Sequence, residues 1–258
     1  MYYFDWTTFF QYINPITAFQ DPLVRSGLLA TVMVSIVAQL MGVILGLFAA
    51  LGKMSKFPLF RSIAELYVWY FRGTPLLVQM MILYYGLGVT HIFDFPDIHI
   101  GALAVSGAIQ AGTLALGINE GAYMAEIVRA GIEAIDVGQM EAAKSLGMPY
   151  GLAMRRIILP QAAKVIIPPL GNEFNNMMKT TSLMTVIAAT ELLFAFSQVN
   201  ARKFEPFELY IAASLYYLVL TTLWSIIQAR LESGLGERKG AEQTPGMLQR
   251  IFAVKEAH

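Results

Sequence analysis

The sequence has no cysteine, which removes disulfides, iron–sulfur clusters and thiolate zinc sites from consideration. Charge is scarce as well. Of the 258 residues 14% are Asp, Glu, Lys or Arg, against about 25% in a soluble domain. Neither sign is in excess, since the formal net charge is zero. With no basic surplus to displace counterions from phosphates, nucleic acid is not an expected partner. The histidines number three, His91, His99 and His258, and their spacing places no metal-ligand pair on one helix. His91 and His99 bracket a short acidic loop and read as solvated, and no metal site is expected. Residues 1–24 hold no Lys or Arg, whereas a secretory signal begins with a positive region, so no cleavable signal is expected.

What is abundant is apolar: 56% of residues are hydrophobic and the mean hydropathy is +0.55. The expected solvent is lipid. The stretch "YYFDWTTFFQYINPITAF", crowded with aromatics and broken at Pro15, reads as an interfacial segment over 1–24, with its rings at headgroup level. A spanning helix needs about 20 apolar residues. Ser26–Gly52, Gly73–Phe93, Ile98–Asn119 and Leu209–Ala229 each lack Asp, Glu, Lys and Arg and predict four spans. Val165–Leu193 is apolar but interrupted by Pro168, Pro169, Glu173, Lys179 and Glu191.

Basic residues decide whether that stretch crosses. They follow the first span (Lys53, Lys56, Arg61, Arg72), the third (Arg129, Lys144, Arg155, Arg156, Lys164) and the last (Arg230, Arg238, Lys239, Arg250, Lys255). Five spans put all three blocks on the cytoplasmic side, as the positive-inside rule requires, and four would strand the last outside. The amino end is then outside, the carboxyl end inside, and a short outer loop carries Arg202 and Lys203. The fourth span is the polar one. Ionisable residues in a membrane usually face a bundle interior or a water-filled cavity, which makes it the candidate pathway helix.

Within it, Asn172, Glu173, Asn176 and Lys179 fall along one helical face. Asn172 and Glu173 suit an ammonium group. Thr181, Ser182 or a helix amino end suit a carboxylate. The plainer reading is a polar seam that holds spans together. Glu126 and Arg129, three apart near the inner end of the third span with Glu120, favour a structural or gating pair over substrate binding. Thr74–Pro75 in "RGTP" reads first as a helix start, with Arg72 at headgroups. "GLFAALGKM" (Gly46–Met54) is no phosphate-binding loop, because its glycines are one residue too far apart and Met54 replaces the magnesium-binding Ser or Thr. Energy has to come from a partner or an ion gradient.

Between spans three and four lies "EAAKSLGMPYGLAMRRIILP", Glu141–Pro160. Gln139–Leu146 predicts a helix that Gly147 ends in a left-handed turn. Pro149 suits the first position of a second helix, which gathers Tyr150, Met154, Ile157 and Ile158 on one face before Pro160 stops it. Such a hairpin either lies on the membrane surface or forms a knob that docks into a partner's groove.

"EAA", three residues, Gly, nine residues and "I-x-LP" resembles in full the EAA loop of bacterial ABC importer permeases. "FRGTPLLVQ" (Phe71–Gln79), "AYMAEIVRAGIEAI" (Ala122–Ile135), "GQMEAAKSLG" (Gly138–Gly147), "LPQAAK" (Leu159–Lys164), "PPLGNEF" (Pro168–Phe174) and "KTTSL" (Lys179–Leu183) resemble the polar amino-acid branch of that family, in order from about Arg25 to Leu231. Thr180 departs from it, where Asp or Ser is frequent. The resemblance implies an all-α membrane protein, with a permease domain over 25–231, the coupling loop at about 138–160, and a cytoplasmic tail over 232–258. It also implies that Glu141, Ala142, Ala143, Gly147, Arg155 and Pro160 contact an ATP-binding subunit. The implied partners are two such subunits, a second permease copy or paralogue, an extracytoplasmic amino-acid-binding protein and the lipid bilayer of a bacterial inner membrane. ATP and magnesium would sit on the partner subunits, and this chain would bind no cofactor and catalyse no reaction. A gradient-driven carrier or channel subunit is the alternative, but repeated halves are missing. A membrane enzyme lacks a catalytic set.

Overall fold

The computed structural model describes residues 4–100 and 103–234. Asp5 caps α1 (Trp6–Ile13) by accepting the Thr7 and Thr8 amides, and Asn14 caps the single turn α2 (Pro15–Ala18). Asp21 and Pro22 then start α3 (Pro22–Lys53), a 32-residue helix, with a capping carboxylate followed by a proline whose missing N–H costs nothing there. A tight turn leads to α4 (Pro58–Gly73). Thr74 and Pro75 are extended. From there α5 (Leu76–Met81), a π turn (Ile82–Gly86) and α6 (Leu87–Val89) run on without a break. The antiparallel strands β1 (Ile98–Ile100) and β2 (Leu103–Val105) pair Ile98 with Val105. Ser106 caps α7 (Gly107–Glu133), and α8 (Val137–Ser145) follows. The chain continues through α9 (Tyr150–Ala153), a π turn (Met154–Ile158), α10 (Leu159–Thr180) and a 3-10 turn (Thr181–Ile187). It closes with α11 (Leu192–Lys203) and α12 (Pro206–Gly234).

Four sequence expectations need correction. The third charge-free window is not one helix, because its first residues form the hairpin and α7 starts at Gly107 and carries on past Glu120, Glu126 and Arg129. Absence of charge does not specify helix, whereas the Ser106 cap fixes its start. The expected outer loop with Arg202 and Lys203 is helix α11, whose Leu192, Ala195, Phe196 and Val199 are buried. Pro149 precedes α9 as its cap instead of opening it. Pro160 does not stop the helix either. The π turn just before it takes up the lost hydrogen bond and the clash of the proline ring, so the backbone stays helical from Tyr150 to Thr180. The expected tail lies outside the described residues beyond Gly234.

By length and composition, α3 and α12 are long and apolar enough to cross a membrane. Tyr150–Ile187 with Leu192–Lys203 qualifies as a pair bent by 48°, and Leu76–Val89 is a shorter apolar helix. Packing gives the directions. Gly42 of α3 lies against Glu120 of α7 and Gly46 against Met124 and Ala125, so α3 and α7 run parallel. The intervening chain must therefore return, and it does: Tyr67 bonds the Ile118 carbonyl, Met80 packs with Ala108 and Ala115, and Asp97 bonds the Gly107 amide. Along α10, Ile166 meets Gly131 while Met184 beyond its end meets Gly112, so α10 runs against α7. Helix α12 reverses again, with Gln228 at Pro168 and Trp224 at Gly171.

Three buried clusters stack along this axis. At one end the amino-terminal helices and α11 pack on Val24, Leu209 and Tyr216. In the middle lie Val34, Leu116, Met177 and Met184. At the other end Ala50, Val128 and Ile132 meet Ile158 of the Glu141–Pro160 insert and Ala162 just beyond it, with Met140 and Met154 against them. The amino end and the insert therefore occupy opposite ends.

Candidate functional site

A cavity of about 240 Å³ lies between α7 and α10 at the middle of the bundle, lined by Leu76, Leu116, Asn119, Glu120, Tyr123, Glu173, Asn176, Met177, Thr180 and Leu183. It is smaller than the roughly 300–1,000 Å³ of sites for drug-sized ligands, a scale that suits one small molecule. Leu76, Leu116, Met177 and Leu183 make the apolar part of its walls, and two carboxylates line it from separate helices, Glu120 of α7 and Glu173 of α10.

Helix α7 supplies Glu120 because small residues let its neighbour come close. A methyl group at Gly42 would stand 2.5 Å from Glu120 Cγ. Glu120 is buried at 7% exposure and takes one hydrogen bond, from Gln39 Nε2 at 3.2 Å. The other amide atom of Gln39, Oε1, is buried with no partner among the described residues. Asn119, one residue earlier, also borders the cavity and donates to the Phe71 carbonyl at 2.8 Å and to Gln79 Oε1 at 3.0 Å. Gln79 in turn donates to Thr74 Oγ1 at 2.7 Å. This chain of amides pins the break between α4 and α5 onto α7, and it gives Thr74–Pro75 the helix-start role its sequence suggests.

Helix α10 supplies Glu173 and Asn176, three apart on one face, and Thr180 one turn on. The other residues singled out from the sequence lie elsewhere. Asn172 accepts a hydrogen bond from Gln228 of α12 at 3.2 Å. Lys179 is exposed, and Ser182 bonds its carbonyl at 2.7 Å. Thr181 is fully buried and bonds the Met178 carbonyl. Pro168 and Pro169 lie inside the helix, where Gln228 and Trp224 donate to the Pro168 and Gly171 carbonyls. Two of the six thus reach the cavity, while Glu120, Asn119 and Thr180 join them. By sequence Glu120 reads as structural or gating beside Glu126 and Arg129, and a scan for ionisable residues passes over the neutral Asn119.

Below the cavity, Lys53 of α3 pairs with Glu126. Arg129 bridges Glu126 at 2.8 Å and Glu133 at 2.6 Å, so the pair expected from spacing is part of a four-residue network. In the insert, Gly147 has φ +74°, the left-handed turn expected of it. Ala143 is buried at 1% exposure. Glu141, Ala142, Gly147, Arg155 and Pro160 are exposed, as are Leu146 and Tyr150. The knob thus turns its polar and some apolar side chains outward.

Residues 42–237 match the family described as binding-protein-dependent transport system inner membrane component. The arginine transport system permease protein ArgU of Corynebacterium glutamicum is 38% identical over 248 residues, covering 93% of this chain and 74% of that protein. The arginine transport system permease protein ArtQ of Bacillus subtilis is 38% identical over 216 residues, 84% of this chain and 94% of that one. A crystal structure of an amino acid ABC transporter with histidines aligns at 40% identity with a TM-score of 0.75, covering 84% of this chain and 95% of that one. The inward-facing MetNI methionine ABC transporter, at 14% identity and a TM-score of 0.65, shares the fold.

Proposed function

The chain belongs to the binding-protein-dependent transport system inner membrane component family, as an amino-acid ABC importer permease of a bacterial inner membrane. From that premise we propose that it forms the translocation path for a polar amino acid, moved by ATP-binding subunits docked on the EAA loop. The path is the cavity between α7 and α10. Glu120 and Glu173 receive the substrate's positive charge, and Asn176 and Thr180 meet its polar groups. Hydrolysis belongs to the partner subunits, and this chain makes and breaks no bond. The relatives named for arginine transport and the two carboxylates together favour a cationic amino acid.

One observation carries the coupling reading. The knob and the site share a single unbroken helix, from Tyr150 through the π turn to Glu173 and Asn176. At about 1.5 Å per residue, Tyr150 to Glu173 spans about 35 Å. A push on the knob therefore has a continuous helical backbone, through the π turn and past Pro168 and Pro169, along which to reach the cavity. Five passes are supported by the alternating packing directions, with the amino end outside and the insert within. A second permease copy or paralogue completes the path, and a binding protein delivers the substrate from outside.

Gly147→Val tests the coupling. A β-branched residue in the left-handed region costs about 1–2 kcal/mol and redirects the Glu141–Leu146 limb. ATP-driven uptake is expected to collapse while the chain still inserts and co-purifies with its subunits. Normal uptake would show that the knob does not transmit the stroke. Topology is checked with single cysteines in this cysteine-free chain and a membrane-impermeant thiol reagent. Positions 93–97 and 201–203 are expected to label from outside, and the exposed positions 147 and 149–151 are not.

A further inference from the structure

Tyr123 belongs to two linings. It lies one helical turn inward of Glu120 on the same face of α7 and closes the cavity on that side. It is also a wall of a second recess of about 450 Å³, lined by Lys53, Glu65, Arg72 and Glu126 among others. Three of the recess's charges are already matched. Lys53 pairs with Glu126, which also holds Arg129, and Glu65 pairs with Arg61 one turn away on α4. Arg72 has no carboxylate partner among the described residues. Its guanidinium carbon stands 5.3 Å from the centre of the Tyr123 ring instead, within cation–π range.

Position and backbone make this contact releasable. Arg72 is on the last turn of α4, next to Gly73, whose α-carbon has open space beside it, and to the extended Thr74. Tyr123 is 38% exposed, so the contact is not locked by packing. A cation leaving the Glu120–Glu173 cavity inward meets the Tyr123 ring first and the like charge of Arg72 next.

We propose that Arg72 and Tyr123 form the inner gate of the path: the ring is the floor of the cavity, the guanidinium is its latch, and a departing cationic group takes over the ring face as Arg72 withdraws. This rests on the reading of the cavity as the path. With Arg72 seated, the floor is shut while the outer side is open. With it displaced, substrate passes into the recess and on to the cytoplasm.

The test uses the complete importer with its ATP-binding subunits and binding protein in proteoliposomes, with labelled arginine and, in parallel, labelled glutamine. A gate that no longer latches lets preloaded amino acid escape whenever ATP opens the outer side. Tyr123→Leu and Arg72→Gln are expected to raise ATP-dependent efflux, and the ATP hydrolysed per amino acid retained, by about two- to fivefold, the weight of one partly exposed cation–π contact. Tyr123→Phe keeps the ring and is expected to restore coupling relative to Tyr123→Leu. Wild-type efflux and coupling in both disruptive variants would overturn the gate, provided Glu173→Gln still alters the half-saturation concentration. Should Glu173→Gln alter nothing, the path reading fails instead. If Tyr123→Leu does not assemble, the Arg72→Cys/Tyr123→Cys chain is bridged with a cleavable thiol crosslinker. Uptake must then stop and return on cleavage, and uptake that continues with the bridge in place overturns the gate.

Discussion

Two carboxylates deep in this protein are treated in opposite ways. Glu191 is fully buried and saturated. It accepts hydrogen bonds from Thr185 Oγ1 at 2.7 Å, the Leu193 and Phe194 amides at 2.9 and 2.6 Å, and the Tyr217 hydroxyl at 2.7 Å, and so caps α11. Glu120 is nearly as buried, yet among the described residues it receives only the amide of Gln39, and it shares its cavity with Glu173, which has no hydrogen bond among them. Burial of an acid is therefore not the mark of a site. The mark is acceptor capacity that the fold leaves unused, since a buried charge normally finds all its partners at home.

The comparison breaks most visibly at Glu191. Glu191→Ala strands two amides and two hydroxyls, at about 1–3 kcal/mol for each buried group left unpaired, and removes a helix cap. Yield and thermal stability of the detergent-solubilised complex are expected to fall sharply, with uptake lost in step with the protein. A variant of normal stability would mean that saturation there is incidental.

The cavity should respond in the reverse sense. The double change Glu120→Gln, Glu173→Gln is expected to leave stability and assembly intact. It should raise the half-saturation concentration for uptake by about ten- to hundredfold, the scale of one charge-assisted hydrogen bond of roughly 1.5–3 kcal/mol. Glu173→Gln alone removes one charge at nearly constant volume. It is expected to cost about tenfold, most for cationic amino acids, read by uptake at saturating binding protein. Equal kinetics for every amino acid tried would make this face a polar seam and remove Glu173 from the site.

Tyr217→Phe is the finest cut. It takes one of four donors from Glu191 and leaves the ring in place, so a loss of about 1 kcal/mol is expected, seen as a small drop in melting temperature with uptake kinetics unchanged. A change in kinetics would tie the Glu191 cap to transport and blur the distinction.

Much of this was legible because lipid imposes a coarse code. The charge-free windows found α3 and α12, and the distribution of Lys and Arg picked out as a span the stretch where the helix α10 stands. Gly147 announced its left-handed turn. What was lost has a physical cause in each case. A scan for ionisable residues passes over Gln39, Gln79 and Asn119, whose neutral amides arrange the ground between α4, α5 and α7. The proline rule assumes an α-helical hydrogen-bond pattern, and the π turn before Pro160 changes that pattern. Helical spacing grouped Asn172 and Lys179 with Glu173, but it cannot tell a face turned to α12 from one turned to a cavity.

The close contact of α3 with α7 has a mechanical meaning. A methyl group at Gly46 would stand 2.9 Å from the Ala125 amide nitrogen and the Gly121 carbonyl oxygen, and one at Gly121 would meet Leu45 Cβ at 2.8 Å. Two backbones meshed that tightly can neither slide nor roll without collision, because packed interiors compress little. They form a keel. On the proposed path, whatever moves during transport would move against it, so Glu120, which sits on the keel, would be the fixed reference, and Glu173, on the rod that reaches the knob, the travelling one. The distance between those two carboxylates would then be the coordinate along which the proposed stroke is felt, and the Lys53–Glu126 pair, at the end of the keel nearest the knob, ties its two timbers together.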